Sequence, residues 1–99
     1  MGMRILTPLK RVIRSIPEKW VVKNSRHGGG VKLSDPDNQH NVIRIMPGDP
    51  KSPYPNSRNP YVKRVRNGTY VDKNGNPVLH NSAEAHIPID EFSFKATDK

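Results

Sequence analysis

Tyr61-Val62-Lys63-Arg64-Val65-Arg66-Asn67-Gly68-Thr69-Tyr70-Val71 is the stretch that decides the fold. Asn-Gly is the favoured two-residue hairpin turn, because both central positions of a type I′ turn need positive φ. The residues on either side therefore read as two antiparallel strands. Toward the N-terminus, Asn41-Val42-Ile43-Arg44-Ile45-Met46 is the strongest strand signal, ended by Pro47-Gly48. Alternation along a strand puts Ile43 and Ile45 on one face, and Val42, Arg44 and Met46 on the other. In the later strand, Val62, Arg64 and Arg66 share one side, and Tyr61, Lys63 and Val65 share the other.

Between these strands lie Pro47, Pro50, Pro53, Pro55 and Pro60. Proline has no N–H for a ladder, so this connection is expected to be a long, ordered, extended loop, partly polyproline-like. Near the N-terminus, Leu9, Val12, Ile13 and Ile16 recur at helical spacing. Thr7 is placed to cap a helix over residues 7–16, with Pro8 at its first position and Pro17 as its stop. Trp20-Val21-Val22-Lys23 and Val31-Lys32-Leu33 read as strands on either side of a flexible break at Gly28-Gly29-Gly30. Ser34-Asp35-Pro36-Asp37-Asn38 and Lys73-Asn74-Gly75-Asn76 have turn composition. Ile87-Pro88-Ile89 and Phe92-Ser93-Phe94 read as short strand or edge segments. The pattern is α+β: a short N-terminal helix packed on an antiparallel sheet of about four or five strands, with a long proline-rich loop.

The chain has 99 residues, of which 32% are hydrophobic, so residues 1–99 are expected to form one small domain. It contains no cysteine, which removes disulfides, thiol catalysis and cysteine-zinc sites. No apolar run is long enough to span a membrane, and no signal-peptide pattern opens the chain, so the expected location is the cytoplasm and no membrane partner is expected. Seventeen Lys and Arg against nine Asp and Glu leave a net charge of +8. A chain this basic suits a polyanion, most often nucleic acid. The positive charge is concentrated in the N-terminal third and in the cluster Lys63, Arg64 and Arg66. The fold has to bring these two regions together if they are to form one phosphate-tracking surface.

A sheet with one face on a helix and the other carrying Arg and Lys offers a phosphate-binding floor, and arginine binds phosphate through two parallel hydrogen bonds. The expected RNA contacts are Lys32, Lys63, Arg64, Arg66 and Arg58, with Ser57 and Asp35. Four histidines, His27, His40, His80 and His86, lie in polar or turn-rich contexts. Imidazole titrates near neutrality, and RNA carries its own nucleophile in the 2′-hydroxyl. One or two histidines with Arg44 and a lysine would supply the base, the acid and the cation of a ribonuclease. Glu84 lies between His80 and His86, but the set lacks the helical zinc motif. Asp35-Pro36-Asp37-Asn38 lacks the Gly and Glu of a calcium loop, and no cofactor or metal is expected. The glycine triplet can let backbone N–H groups approach phosphate, although it matches no nucleotide-binding fingerprint.

Several strings together resemble the C-terminal toxin domains of bacterial polymorphic and contact-dependent toxins. They are Gly28-Gly29-Gly30, Asp35-Pro36-Asp37-Asn38, Val42-Ile43-Arg44-Ile45-Met46-Pro47-Gly48-Asp49-Pro50, Ser52-Pro53-Tyr54-Pro55-Asn56-Ser57, Pro60-Tyr61-Val62, Asp72-Lys73-Asn74-Gly75-Asn76 and Glu84-Ala85-His86-Ile87-Pro88. Such domains are similar to metal-independent ribonucleases of the barnase, EndoU, colicin and RelE-like superclass. The resemblance implies cleavage of tRNA or another structured RNA, and neutralisation by an acidic cognate immunity protein. Carried over by position, it marks His27, Asp35, His40, Arg44, Ser57 and His86. On this reading His86 and one of His40 or His27 exchange protons, while Arg44 with Lys32 or Lys63 stabilises the phosphorane, leaving a 2′,3′-cyclic phosphate. Two other functions use the same basic face: a non-catalytic nucleic-acid-binding module, and a protein that docks an acidic partner.

Overall fold

The computed structural model describes residues 3–24 and 29–94, with side chains from Leu9 onward in the first segment. A helix, α1 (Met3–Ser15), is followed by β1 (Val21–Asn24), β2 (Val31–Asp35), β3 (Asn38–Met46), β4 (Tyr61–Arg66), β5 (Thr69–Val71) and β6 (Ile87–Pro88). All strand pairs are antiparallel, in the order β1-β2-β3-β4-β5, and β6 shares the outer edge of β4 with β5. The α+β expectation holds, with a sheet of six strands where four or five were expected.

Alternation sorts the sheet as the residues dictate. Leu33, Ile43, Ile45 and Val62 face the helix and form the core with Val12, Ile16, Trp20, Ile87, Ile89 and Phe92. Arg11 ties α1 to the C-terminal segment, its guanidinium donating to the carbonyls of Ile89 (2.7 Å) and Phe92 (3.2 Å). The helix begins four residues before the position read from Thr7-Pro8. Pro8 therefore lies inside the helix rather than at its first position, where it has no N–H to donate to the Arg4 carbonyl. Trp20 is not part of β1: it is buried and meets Phe94 edge to face at 5.6 Å. The segment from Phe92 to Phe94 is not a strand, because Phe92 is used as a core plug.

The Asn67-Gly68 turn is as expected, with φ of 52° and 81°. The β2-β3 hairpin is tighter than its sequence suggested. Asp35 pairs with Asn38, which leaves only Pro36 and Asp37 in the turn, and Asp35 accepts the Asp37 N–H at 2.9 Å. Gly30 is explained by packing: a Cβ there would lie 2.4 Å from the Ile45 carbonyl oxygen. The connection over residues 47–60 is not a run of polyproline. It folds back on itself around a 3₁₀ turn, Pro55–Ser57, closed by the Asp49 N–H donating to the Ser57 carbonyl at 2.8 Å.

Arg64 lies on the helix-facing side of β4 and is only 3% exposed. Its Nη1 donates to Val65 O (2.8 Å), Asn41 Oδ1 (3.3 Å) and Val42 O (3.4 Å), and its guanidinium carbon lies 5.7 Å from the Trp20 ring centre. Replacing Arg64 by alanine strands these buried acceptors and opens a cavity. Arg64→Ala is expected to lower unfolding free energy by about 2–4 kcal/mol, read from the urea midpoint.

Candidate catalytic cleft and basic row

The face of the sheet away from α1 carries a row of four cations. Lys23 pairs with Lys32, Lys32 with Arg44, and Arg44 with Lys63. Directly opposed residues of an antiparallel pair share a face, so the row crosses β1 to β4 at right angles to the strands. Like charges this close oppose one another. Burial lowers the Lys63 ammonium pKa, and the charge of Arg44 lowers it further.

At the β4 end the row runs into a cleft of about 420 Å³. One wall is the folded-back loop, through Tyr54, Asn56 and Ser57; the other is the segment from His80 to His86; Lys63 lies between them. The second wall is placed by β6. Ile87 pairs with Val62, which sets His86 level with Lys63. Just before it, Ala83–Ala85 forms a 3₁₀ turn capped by Ser82, whose Oγ accepts the Ala85 N–H at 3.3 Å. The Lys63 ammonium donates to the His80 carbonyl at 2.8 Å and lies 5.4 Å from the centre of the Tyr70 ring.

His86 is fixed on two sides. Its Nδ1 lies 2.7 Å from the Ser82 carbonyl, and its ring stands 4.9 Å from that of Tyr61. A carbonyl only accepts, so Nδ1 carries the hydrogen and Nε2 is the lone-pair nitrogen of the neutral ring. Burial pushes the imidazole pKa below its ordinary 6.5 against the raising effect of the Ser82 carbonyl, and the Lys63 charge pushes the same way as burial. An imidazole neutral at physiological pH is in the form a general base needs.

The other expected site residues are dispersed. His40 is exposed at the hairpin end of β3, where its carbonyl accepts the Gly68 N–H. It lies four positions along β3 from Arg44, about 13 Å of strand, and does not line the cleft with His86. His27 and Gly28 lie outside the described residues. Arg64 is a core residue, as above, and Arg66 lies on the same side of β4, lining a separate small cavity with Asp72 and Phe92. The expected cluster of Lys63, Arg64 and Arg66 is thus divided between the two faces by strand alternation. The helix cations Lys10, Arg11 and Arg14 belong to the opposite layer from the row.

Asp35 is 7% exposed and holds the β2-β3 hairpin, with its other oxygen 3.5 Å from the Asn41 amide nitrogen, so it offers no surface contact. Arg58 braces the loop wall, donating to the carbonyls of Ser52 (2.8 Å) and Pro53 (3.4 Å). Ser57, an expected RNA contact, lines the cleft. His80 is one of the four histidines the sequence offers but not one of the expected catalytic set, and Tyr54, Asn56 and Asn81 are in neither. The five-residue gap from His80 to His86 was visible, but only the capped turn at Ser82 brings the two into one cleft. Among the described residues no group of three or more His, Asp and Glu is placed to hold a metal ion, and no helix is long and apolar enough to cross a membrane. A comparison with protein-family models and with curated proteins finds no match to this chain.

The lowered His86 pKa has a consequence for stability. The unfolded chain binds the proton more readily, so stability is present above about pH 6.5 and falls as pH drops through the folded-state value. The expected result is a decline in the urea midpoint as pH falls below about 6.5 that is shallower in His86→Gln.

Proposed function

We propose that this protein is a metal-independent endoribonuclease, of the toxin type its sequence strings resemble. The observation that carries the reading is the meeting of His86, His80 and Lys63 in one cleft at the end of the basic row. His86 Nε2 takes the proton of the RNA 2′-hydroxyl. The 2′-oxygen then bonds to phosphorus as the bond from phosphorus to the 5′-oxygen breaks. His80 gives the leaving 5′-oxygen its proton, as the second imidazole in place of His40 or His27. The products are a 2′,3′-cyclic phosphate and a 5′-hydroxyl end. Lys63 and Arg44 offset the charge that grows on the phosphorane oxygens, an effect strongest in a partly desolvated site.

The substrate class is tRNA or another structured RNA, cleaved in the cytoplasm. An acidic immunity protein would cover the same cations, since inhibitors of such surfaces present carboxylates where phosphates would lie. Incubating total tRNA with the protein in EDTA is expected to give cyclic-phosphate ends. His86→Ala, with its fold checked by circular dichroism, is expected to cut at a rate about 10²–10⁴-fold lower. A strict need for Mg²⁺, or equal cutting by the variant, would overturn the mechanism. RNA binding without strand breaks by the unaltered protein would mark a non-catalytic binding module instead.

A further inference from the structure

The proton chemistry leaves part of the cleft without a role. Tyr54 is 67% exposed, the largest aromatic side chain left in solvent among the described residues, yet it stands at the mouth of a cationic cleft. Its position owes nothing to core packing. Pro53 and Pro55 flank it, its N–H donates to Ser52 Oγ at 3.2 Å, and its carbonyl accepts the Ser57 N–H at 3.0 Å. Arg58 braces the same turn through the Ser52 and Pro53 carbonyls. The backbone holding the ring is therefore fixed while the ring itself has a bare face. Asn56 and Asn81 line the same cleft, and a carboxamide offers both a donor and an acceptor to the edge of a base. Leading away from this point, the row of Lys63, Arg44, Lys32 and Lys23 crosses three inter-strand gaps, about 14 Å.

A fixed aromatic face beside a cationic track is the arrangement by which proteins hold single strands, with bases stacked on rings and the backbone following the charge. We infer that the cleft takes one unpaired nucleotide, its base stacked on Tyr54, and that the adjoining phosphates lie along the row toward β1. The ligand is thus a single strand with a footprint of roughly four nucleotides, at the short end of such sites. Within a duplex every base face is already stacked on its neighbours, so Tyr54 has nothing to receive. The inference rests on the ribonuclease reading only for the identity of the strand as RNA. In a structured RNA the site would select loops and ends, where bases are splayed out.

The test is binding without cleavage, using a fluorescein-labelled 2′-O-methyl oligonucleotide of about twelve residues, alone or annealed to its complement. The single strand is expected to bind more tightly than the duplex. Tyr54→Ala should weaken single-strand binding by about five- to a hundredfold, while Tyr54→Phe keeps it, because stacking uses the ring and not the hydroxyl. Lys23→Ala should reduce the slope of log affinity against log salt by about 0.7. Equal affinity for strand and duplex, or no loss in Tyr54→Ala, would overturn the inference even if the protein cuts RNA. Loss in Tyr54→Ala from a protein that cuts no RNA would keep the strand site and remove the nuclease mechanism.

Discussion

The structure depends on the pairing register of β2, β3 and β4. Opposing Leu33 to Ile43 and Ile45 to Val62 builds the floor under α1, and the same register opposes Lys32 to Arg44 and Arg44 to Lys63. The two sets cannot be separated, since a slip of one residue would turn apolar side chains outward and cations into the core. Burial of Ile43, Ile45 and Val62 is worth several kcal/mol, more than the repulsion among partly solvated cations costs. The hydrophobic face therefore fixes the charged one. A row of four like charges is tolerated because the residues beneath it leave no other pairing.

Arg64 extends the same argument to an exception. Its place in the alternation puts it on the core side, where a charge is costly unless its donors are met. Here carbonyls and the Asn41 amide oxygen accept from Nη1, and Asn41 in turn approaches Asp35, which holds the β2-β3 turn. A polar thread thus runs from the β4 interior to the β2-β3 hairpin, under the same sheet whose outer face holds the row. Two neighbouring basic residues, Lys63 and Arg64, so have opposite duties: one faces the cleft and the other anchors the core.

Much of the fold was legible in the chain. Asn67-Gly68, the alternation about Ile43 and Ile45, and the apolar stripe of α1 all rest on local rules that tertiary context did not override. The candidate site was legible only in part. Alternation gave the shared face of Arg44 and Lys63, but which strands are neighbours, and in what register, is a property of the folded sheet. The meeting of His86 and His80 in one cleft depends on β6, whose strand character is readable at Ile87-Pro88 but whose partner, the edge of β4, is not. The loop wall depends on a backbone bond between Asp49 and Ser57, which leaves no trace in side-chain composition. Arg64 and Arg66 misled because charge is counted along a sequence, whereas a sheet deals successive residues to opposite sides.

β1 pairs along one edge only among the described residues, and all four of its side chains are exposed. Lys23, the outermost cation, therefore rides on the least supported strand, whereas Lys63 sits where β3 and β6 both brace β4. Strands at such margins open at a fraction of the global unfolding energy. The sheet is thus best supported at the cleft end of its charged row and least supported at the far end. On the proposed reading it would hold the reacting linkage still while the rest of a strand adjusts, so that sequence would be felt near the cleft and only charge at a distance from it.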